Sequence, residues 1–160
     1  LNMLELDLQI IELERDNYHI MLEGEFHDGE KCMWIVDTGA SKTVLDKNLE
    51  DYYQLLDTEN TDEFQSAGIN EGMVDTKVGI TGHLRFGKLL VEELKVALID
   101  LSHVNDIYSK YSDYKIAGLL GGDILKKHGA VIDYNKSKIR FLNDNRFDIC
   151  QTDINREAGV

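Results

Sequence analysis

The residues best suited to chemistry form a short run in which an acid follows an apolar segment. The acid is Asp37, and the run continues as Thr38-Gly39-Ala40-Ser41. Residues 32–36 read Cys-Met-Trp-Ile-Val, which predicts a buried strand that delivers the acid to a tight turn. Two carboxylates held about 3 Å apart cannot both ionise, so they share one proton and supply an acid and a base in one site. The chain has one such run, so a symmetric pair requires the same residues of a second copy.

A second motif, rich in glycine, follows later in the chain. Residues 116–122 read Ile-Ala-Gly-Leu-Leu-Gly-Gly and predict another apolar strand, this time ending in glycines. We interpret the next residue, Asp123, as the cap of a short helix over residues 124–128 rather than as a second catalytic acid, because a carboxylate there accepts free N–H groups of the first helical turn. Gly129 ends that helix, and residues 130–134 predict a further strand.

The remaining segments predict a mainly β chain with two or three short helices. Apolar and charged residues alternate in short runs over residues 4–26, and β-branched and aliphatic residues are frequent over residues 76–99. Capping residues at positions 100–102 predict a helix that runs to about Tyr108. The looser apolar spacing of residues 43–56 is compatible with a short helix or two in that segment.

Taken together, the two motifs resemble those of the retropepsin-like aspartic proteases. In that family an apolar strand ends in Asp-Thr/Ser-Gly, and a later apolar segment with glycine and a short helix packs behind the acidic loop. The resemblance covers roughly residues 17–142 and is closest to the bacterial-type, single-domain members. It implies a mainly β, closed, barrel-like acid protease fold over residues 1–143, followed by a polar C-terminal tail over residues 144–160.

The resemblance also assigns roles to particular residues. Asp37 would be the catalytic acid of an aspartic endopeptidase, and Asp37 of a second copy would complete the site, so a homodimer acting on a peptide or protein is expected. The Thr38 hydroxyl would bond to the opposite loop, and Gly39 would permit close backbone approach. The supporting residues would be Ala40 and Ser41 within the loop and Leu119, Leu120 and Gly121 behind it.

A lid over the site is a further implication of the resemblance. The glycine-punctuated residues 66–73 are the candidate, and the flap positions within them are Ala67, Gly68, Ile69 and Gly72. A plain glycine-containing loop explains the same residues equally well, because they match no flap sequence closely. Both interpretations therefore stay open.

Composition limits the other functions that the chain can have. Thirty acidic residues against seventeen basic ones give a net charge of -13, which would repel a nucleic acid backbone. The five histidines lack the spacing of metal-binding helices, so neither a metal nor another cofactor is expected. No apolar stretch approaches the roughly 20 residues of a membrane-spanning helix, so a soluble protein without a membrane partner is predicted and its compartment stays open.

One rival hypothesis keeps the fold and abandons the chemistry. A retropepsin-type domain that binds or dimerises without cleaving peptides would carry the same strands and turns, because a fold does not by itself imply a function. The presence of Asp37, Thr38 and Gly39 together favours an enzyme.

Overall fold

The computed structural model describes residues 3–56 and 76–142, and strands dominate this part of the chain. The helical segments are a 3-10 turn (Glu50–Tyr52), α1 (Ser102–Ser109) and α2 (Gly122–Lys127). In chain order the strands are β1 (Met3–Asp7), β2 (Gln9–Glu14), β3 (Asn17–Phe26), β4 (Lys31–Val36), β5 (Val44–Asp46), β6 (Tyr53–Leu55), β7 (Lys77–Thr81), β8 (Leu84–Phe86), β9 (Leu89–Val91), β10 (Leu94–Ile99), β11 (Ile116–Leu120), β12 (Val131–Asp133) and β13 (Lys138–Leu142). The predicted mainly β fold with two or three short helices is confirmed.

Ten of these strands form one sheet that curls into a half-barrel. Nine follow one another in the order β6-β7-β10-β5-β11-β4-β3-β8-β9, and β2 pairs with β3 outside this path. Strand β11 lies between β4, to which it is parallel, and β5, to which it is antiparallel. The two segments that carry the sequence motifs are therefore neighbours in the middle of the sheet.

Residues 32–36 of β4 and all of β11 are apolar because both faces of these segments are covered. Trp34 and Val36 belong to one buried cluster, whereas Met33 belongs to a second cluster against which Ile35 packs. Successive side chains of a strand point to opposite faces, so a strand covered on both sides shows no polar alternation. The continuous apolar runs in the sequence follow from this central position.

A smaller sheet of three strands, in the order β1-β13-β12, covers one side of the core. Ile139 and Phe141 of β13 are fully buried and belong to the same cluster as Trp34 and Leu120. The end of the described chain is thus packed against the strands that carry the motifs.

Of the helix or two predicted within residues 43–56, the structure has only the 3-10 turn (Glu50–Tyr52), and strands occupy much of the rest. This segment contains β5, the 3-10 turn and β6. All three residues of β5 are buried, and the strand pairs with both β10 and β11. Pairing with distant strands therefore outweighs the local apolar spacing, as tertiary context commonly does for weak local signals.

Two other expectations concern residues outside the described part of the chain. They are the candidate flap with Ala67, Gly68, Ile69 and Gly72, and the tail over residues 144–160. The domain limits and the flap both stay predictions. The helix expected after residue 102 is confirmed as α1, and the helix expected near residue 124 is α2, which begins at Gly122.

Candidate active site

Asp37 lies at the edge of the sheet where β4 and β11 both end. The two strands are parallel, with Val36 beside Leu120, so their carboxyl ends meet at one place. The backbone N–H of Asp37 donates to the carbonyl oxygen of Leu120 over 2.9 Å, which ties the two strand ends together. Asp37 itself is half-buried, so its carboxylate remains open to a reactant.

The loop after Asp37 is a tight turn that orients the carboxylate. The backbone N–H of Gly39 donates to Asp37 Oδ1 over 3.0 Å, and that of Ala40 donates to the Asp37 carbonyl oxygen over 3.2 Å. A Cβ at Gly39 would lie 3.3 Å from Asp37 Oδ1, closer than an ordinary contact. Thr38 and Ser41 are exposed at the surface of this loop. The turn thus fixes one carboxylate oxygen and leaves the Thr38 side chain facing solvent.

Gly121 lies directly behind the loop. A Cβ there would stand 2.6 Å and 2.7 Å from the Lys42 carbonyl carbon and oxygen, and 2.8 Å from the Ala40 carbonyl oxygen. The backbone N–H of Gly122 donates to that same Ala40 oxygen over 2.7 Å. The second motif therefore contacts the acidic loop through its backbone, and Gly121 is the residue of closest approach.

The two leucines of the second motif have different surroundings. Leu120 is fully buried in the cluster that contains Trp34, and its carbonyl oxygen accepts the bond from Asp37. Leu119 is only half-buried and lines a cavity on the other face of the sheet. Of the residues expected to pack behind the loop, Leu120 and Gly121 lie there, whereas Leu119 lies beside the open face.

Thr43 is a site residue that the sequence analysis did not identify. Its side chain is completely buried, and its hydroxyl donates to Asp123 Oδ1 over 2.7 Å while accepting the backbone N–H of Gly121 over 3.1 Å. Asp123 Oδ1 also accepts the backbone N–H of Ile124 over 2.9 Å. Asp123 was expected to cap this helix, but the N-cap of α2 is Gly121, so Asp123 lies inside the first turn and its carboxylate joins α2 to the strand that follows the acidic loop. A threonine directly before the apolar pair Val44-Leu45 was the available signal, because a buried hydroxyl needs a partner.

A cavity of about 650 Å³ opens beside Asp37. Its apolar wall comes from β2, β4, α1 and β11 and consists of Leu13, Ile35, Val104, Ile107 and Leu119. The polar residues at the cavity are Glu14, Asn17, Tyr18 and His19 from the β2–β3 hairpin. Asp37 follows Ile35 by two positions and lines the same cavity, as the alternation of a strand requires. This volume falls within the range of about 300–1,000 Å³ that is typical of ligand sites.

Tyr108 closes one side of this cavity from α1. The residue is only 4% exposed, and its hydroxyl has no hydrogen-bond partner within the described residues. The ring of His19 meets the ring of Tyr108 edge-on, with centroids 5.9 Å apart and planes at 74°. Burial raises the pKa of Tyr108 above its ordinary value, so the phenol stays protonated and able to donate a hydrogen bond.

Within residues 3–56 and 76–142, no cluster of three or more His, Cys, Asp or Glu side chains is arranged to hold a metal ion. The expectation that the protein needs neither a metal nor another cofactor stays a prediction. None of the helices in the described residues is long and apolar enough to cross a lipid bilayer.

The chain belongs to the aspartyl protease family, whose sequence model matches residues 22–124. This match includes Asp37 with its loop and the second motif up to the start of α2, and it confirms the resemblance to aspartic proteases. Seventeen chains of solved structures also match. One is a retropepsin-like aspartic protease from Rickettsia conorii, with 20% identity, 88% of this chain and 90% of that chain covered, and a TM-score of 0.46. A search among curated proteins found no match.

Proposed function

We propose that the protein is an aspartic endopeptidase that works as a homodimer, with one Asp37 from each copy. The observation that carries this proposal is the half-buried carboxylate of Asp37, which accepts the N–H of Gly39 and belongs to a residue that lines a cavity large enough for a substrate. Membership of the aspartyl protease family supports it. The chain has a single Asp-Thr-Gly run, so a second carboxylate of the same kind must come from another copy.

The mechanism divides one hydrolysis between two equivalent acids. One Asp37 carboxylate takes a proton from a water molecule, whose oxygen attacks the carbonyl carbon of the peptide bond. The other Asp37, protonated at the start, gives its proton to the carbonyl oxygen, and a tetrahedral intermediate forms. When the C–N bond breaks, a proton passes to the leaving nitrogen and the pair again holds one shared proton.

The loop residues have positional roles in this proposal. The N–H of Gly39 donates a hydrogen bond to Oδ1 of Asp37, so the other carboxylate oxygen is the one that faces the reactant. The exposed hydroxyl of Thr38 bonds to the loop of the second copy, and Ala40 and Ser41 connect the turn to the strand that follows. Leu120 and Gly121 hold the loop from behind through the contacts at their backbone.

The substitution Asp37→Asn tests the catalytic role directly. Asparagine keeps an oxygen that can accept the Gly39 N–H, so the fold and the loop should be preserved. We expect cleavage of an unstructured protein such as reduced casein to fall by about 10³-fold or more. Cleavage is measured between about pH 3 and pH 7, where a pair of carboxyl groups exchanges protons.

The matched control is Asp113→Asn, which removes the same charge at an exposed position far along the chain. This variant should cleave at the original rate. If Asp37→Asn retains full activity, a different group performs the chemistry and the proposal is wrong. If the unaltered protein forms dimers but cleaves nothing across this pH range, the non-catalytic binding or dimerisation module becomes the better explanation.

A further inference from the structure

Helix α1 forms one wall of the cavity beside Asp37. Three residues of this helix line the cavity: Val104, Ile107 and Tyr108. The acidic loop is tied to β11 by its own backbone hydrogen bonds, such as the one from Asp37 to Leu120. A displacement of α1 would therefore reshape the cavity without moving the Asp37 carboxylate. The contacts that hold the helix thus decide how a substrate meets that carboxylate.

The start of α1 has no capping side chain of its own. Its N-cap residue is Leu101, which is buried and has no polar side-chain atom. Asp46 Oδ1 accepts the backbone N–H of Leu101 over 3.3 Å. Asp100 Oδ1 accepts the backbone N–H of Ser102 over 3.0 Å. Because negative charge is favourable at a helix N-terminus, these two carboxylates take the place of a cap. One of them, Asp46, belongs to β5.

The two carboxylates share one hydrogen-bond donor, the side-chain amide of Asn48. Its Nδ2 donates to Asp46 Oδ1 over 2.8 Å and to Asp100 Oδ1 over 2.9 Å. The backbone N–H of Asn48 also donates to Asp46 Oδ1, over 3.2 Å. An amide has two N–H donors and no charge, so one group can serve two acids. Since Asp46 is only 3% exposed, its carboxylate depends on such bonds. Asn48 therefore links the end of β5 to the start of α1.

A second contact anchors the middle of α1. The side chain of Asn105 donates to the Ile116 carbonyl oxygen over 3.1 Å and accepts the Ile116 N–H over 2.7 Å. Ile116 is the first residue of β11, so this part of the helix is attached to the large sheet. Loss of the contact with β5 should therefore loosen the first turn, which contains Val104, and leave the rest of the helix in place.

Several titratable groups lie at this junction, namely Asp46, Asp100, Lys47 and Tyr53. Hydrogen bonds from Ser102, with further contributions from Asn48 and the charge of Lys47, lower the pKa of Asp100 to about 2. The Tyr53 hydroxyl donates to the Lys47 carbonyl oxygen over 2.7 Å and so does not serve the two carboxylates. Asp100 thus stays ionised between about pH 3 and pH 7, where a pair of catalytic carboxyl groups would exchange protons.

We propose that Asn48 is a positioning residue for the active site: by joining Asp46 to Asp100 it holds the first turn of α1 and fixes the helical wall of the cavity beside Asp37. Its effect on substrate rests on the proposed proteolytic function. The hold on the helix exists independently of catalysis and can be measured without it.

The substitution Asn48→Asp tests this role through pH. Below its ordinary pKa of about 4 the new carboxyl group can still donate one hydrogen bond, whereas above that value three carboxylates are adjacent and repel one another. We expect KM for a peptide, relative to the unaltered protein at the same pH, to differ by less than about 2-fold near pH 3 and to rise by about 3- to 10-fold near pH 6. The value of kcat should change little, since the Asp37 loop is held separately by β11.

Hydrogen exchange of single amides, followed by NMR, measures the hold on α1 without cleavage. The N–H of Asn105 donates to the Leu101 carbonyl oxygen within the first turn. In Asn48→Asp it should exchange about 3- to 10-fold faster than in the unaltered protein near pH 6, with little difference near pH 3. The amides of β13 should exchange at their original rates, which shows that the protein as a whole is not unfolding.

Two further variants separate the effect of charge from the effect of the lost amide. Asn48→Ala removes the shared donor without adding a carboxylate, so KM and the exchange of the Asn105 amide should rise by the same factor at both pH values. Asn135→Asp makes the same chemical change at an exposed position in the turn between β12 and β13. It should leave KM and exchange unchanged at either pH.

The outcomes distinguish the two proposals. If Asn48→Asp shows the same relative KM at both pH values, or if exchange in α1 does not change, the positioning role is overturned while the protease proposal survives. If the unaltered protein cleaves nothing, the protease proposal falls. Faster exchange in α1 that depends on pH only in Asn48→Asp would then still support the hold on the helix, and unchanged exchange would refute it.

Discussion

Within residues 3–56 and 76–142, two threonines are almost completely buried, and they differ in what their hydroxyl groups contact. The Thr43 hydroxyl donates a hydrogen bond to Asp123 and accepts one from the N–H of Gly121, whereas the hydroxyl of Thr81 has no partner among the described residues. Their side chains are 0% and 2% exposed, so burial is nearly equal. The pair isolates the effect of hydrogen bonding from the effect of burial.

We expect Thr43→Val to lower the free energy of unfolding by about 2–3 kcal/mol, because the change leaves a buried N–H and a carboxylate without their shared partner. Valine has nearly the shape of threonine, so packing changes little. Urea unfolding, followed at one protein concentration, measures the loss. Cleavage activity should fall as well, since Gly121 packs behind the acidic loop.

Thr81→Val serves as the control and should be neutral or slightly stabilising, because it removes a hydroxyl that is buried without a partner. Equal losses at both positions would mean that the bonds of Thr43 contribute little to stability.

At the scale of single residues, the sequence identified the site residues whose roles follow from their neighbours along the chain. Asp37 follows an apolar strand and precedes Thr38 and Gly39, so its position in a turn was predictable. Thr43 and Tyr108 were not identified, because their importance depends on partners or on a cavity formed by distant segments. Thr43 and Asp123 are 80 positions apart, and no local pattern joins them.

Close backbone contact holds the elements of the site together. The turn that follows β11 packs against the acidic loop, residues 37–41, and the start of the next segment. Gly121 has a φ of -99°, which any residue can adopt, so only space restricts its side chain. The atoms nearest to a Cβ there belong to the backbone of Lys42 and Ala40. At Gly122 the nearest atoms would be 3.6 Å and 3.8 Å away, which is ordinary contact.

Gly121→Ala should therefore destabilise the protein by about 1–3 kcal/mol, because a backbone cannot yield as a flexible side chain can. We also expect a loss of activity of about 10²-fold, since displacement of the loop by 1 Å would misplace Asp37. Urea unfolding and peptide cleavage measure the two effects on the same samples.

Gly122→Ala is the matched control at the next position. Alanine favours helix over glycine, and this residue begins α2, so stability should be unchanged or rise by up to about 1 kcal/mol. If both variants behave alike, the close approach at Gly121 does not hold the loop.

At the scale of elements, the sequence predicted most strands and both α-helices but not their arrangement. Only a 3-10 turn forms where a helix or two was expected within residues 43–56, since β5 is completed by pairing with β10 and β11. Strand β11 lies between β4 and β5, so the two motifs are side by side in the sheet although they are far apart in the sequence. No local spacing of residues encodes that order. Helix α1 was expected, but its position beside Asp37 was not.

For the whole molecule, the central question is whether one site needs two copies. Each copy carries a charge of -13, so identical copies repel one another at long range. Ions screen exposed charges beyond about 10 Å at 0.1 M salt, and association should therefore be measured at this salt concentration or above. Under those conditions a mixture of active and inactive copies reports how many Asp37 residues each site uses.

We expect activity to fall with the square of the active fraction when unaltered protein is mixed with Asp37→Asn and the copies are allowed to exchange by unfolding and refolding together. A site made from two Asp37 residues works only if both copies are unaltered, so an equal mixture keeps about a quarter of the activity. A site contained within one copy would keep about half. Mixing with Asp113→Asn, which is altered at an exposed position, should leave the activity unchanged and thereby exclude losses caused by refolding. A linear decline, measured by cleavage of one peptide at a fixed total concentration, would show that each chain acts alone and would contradict the shared site.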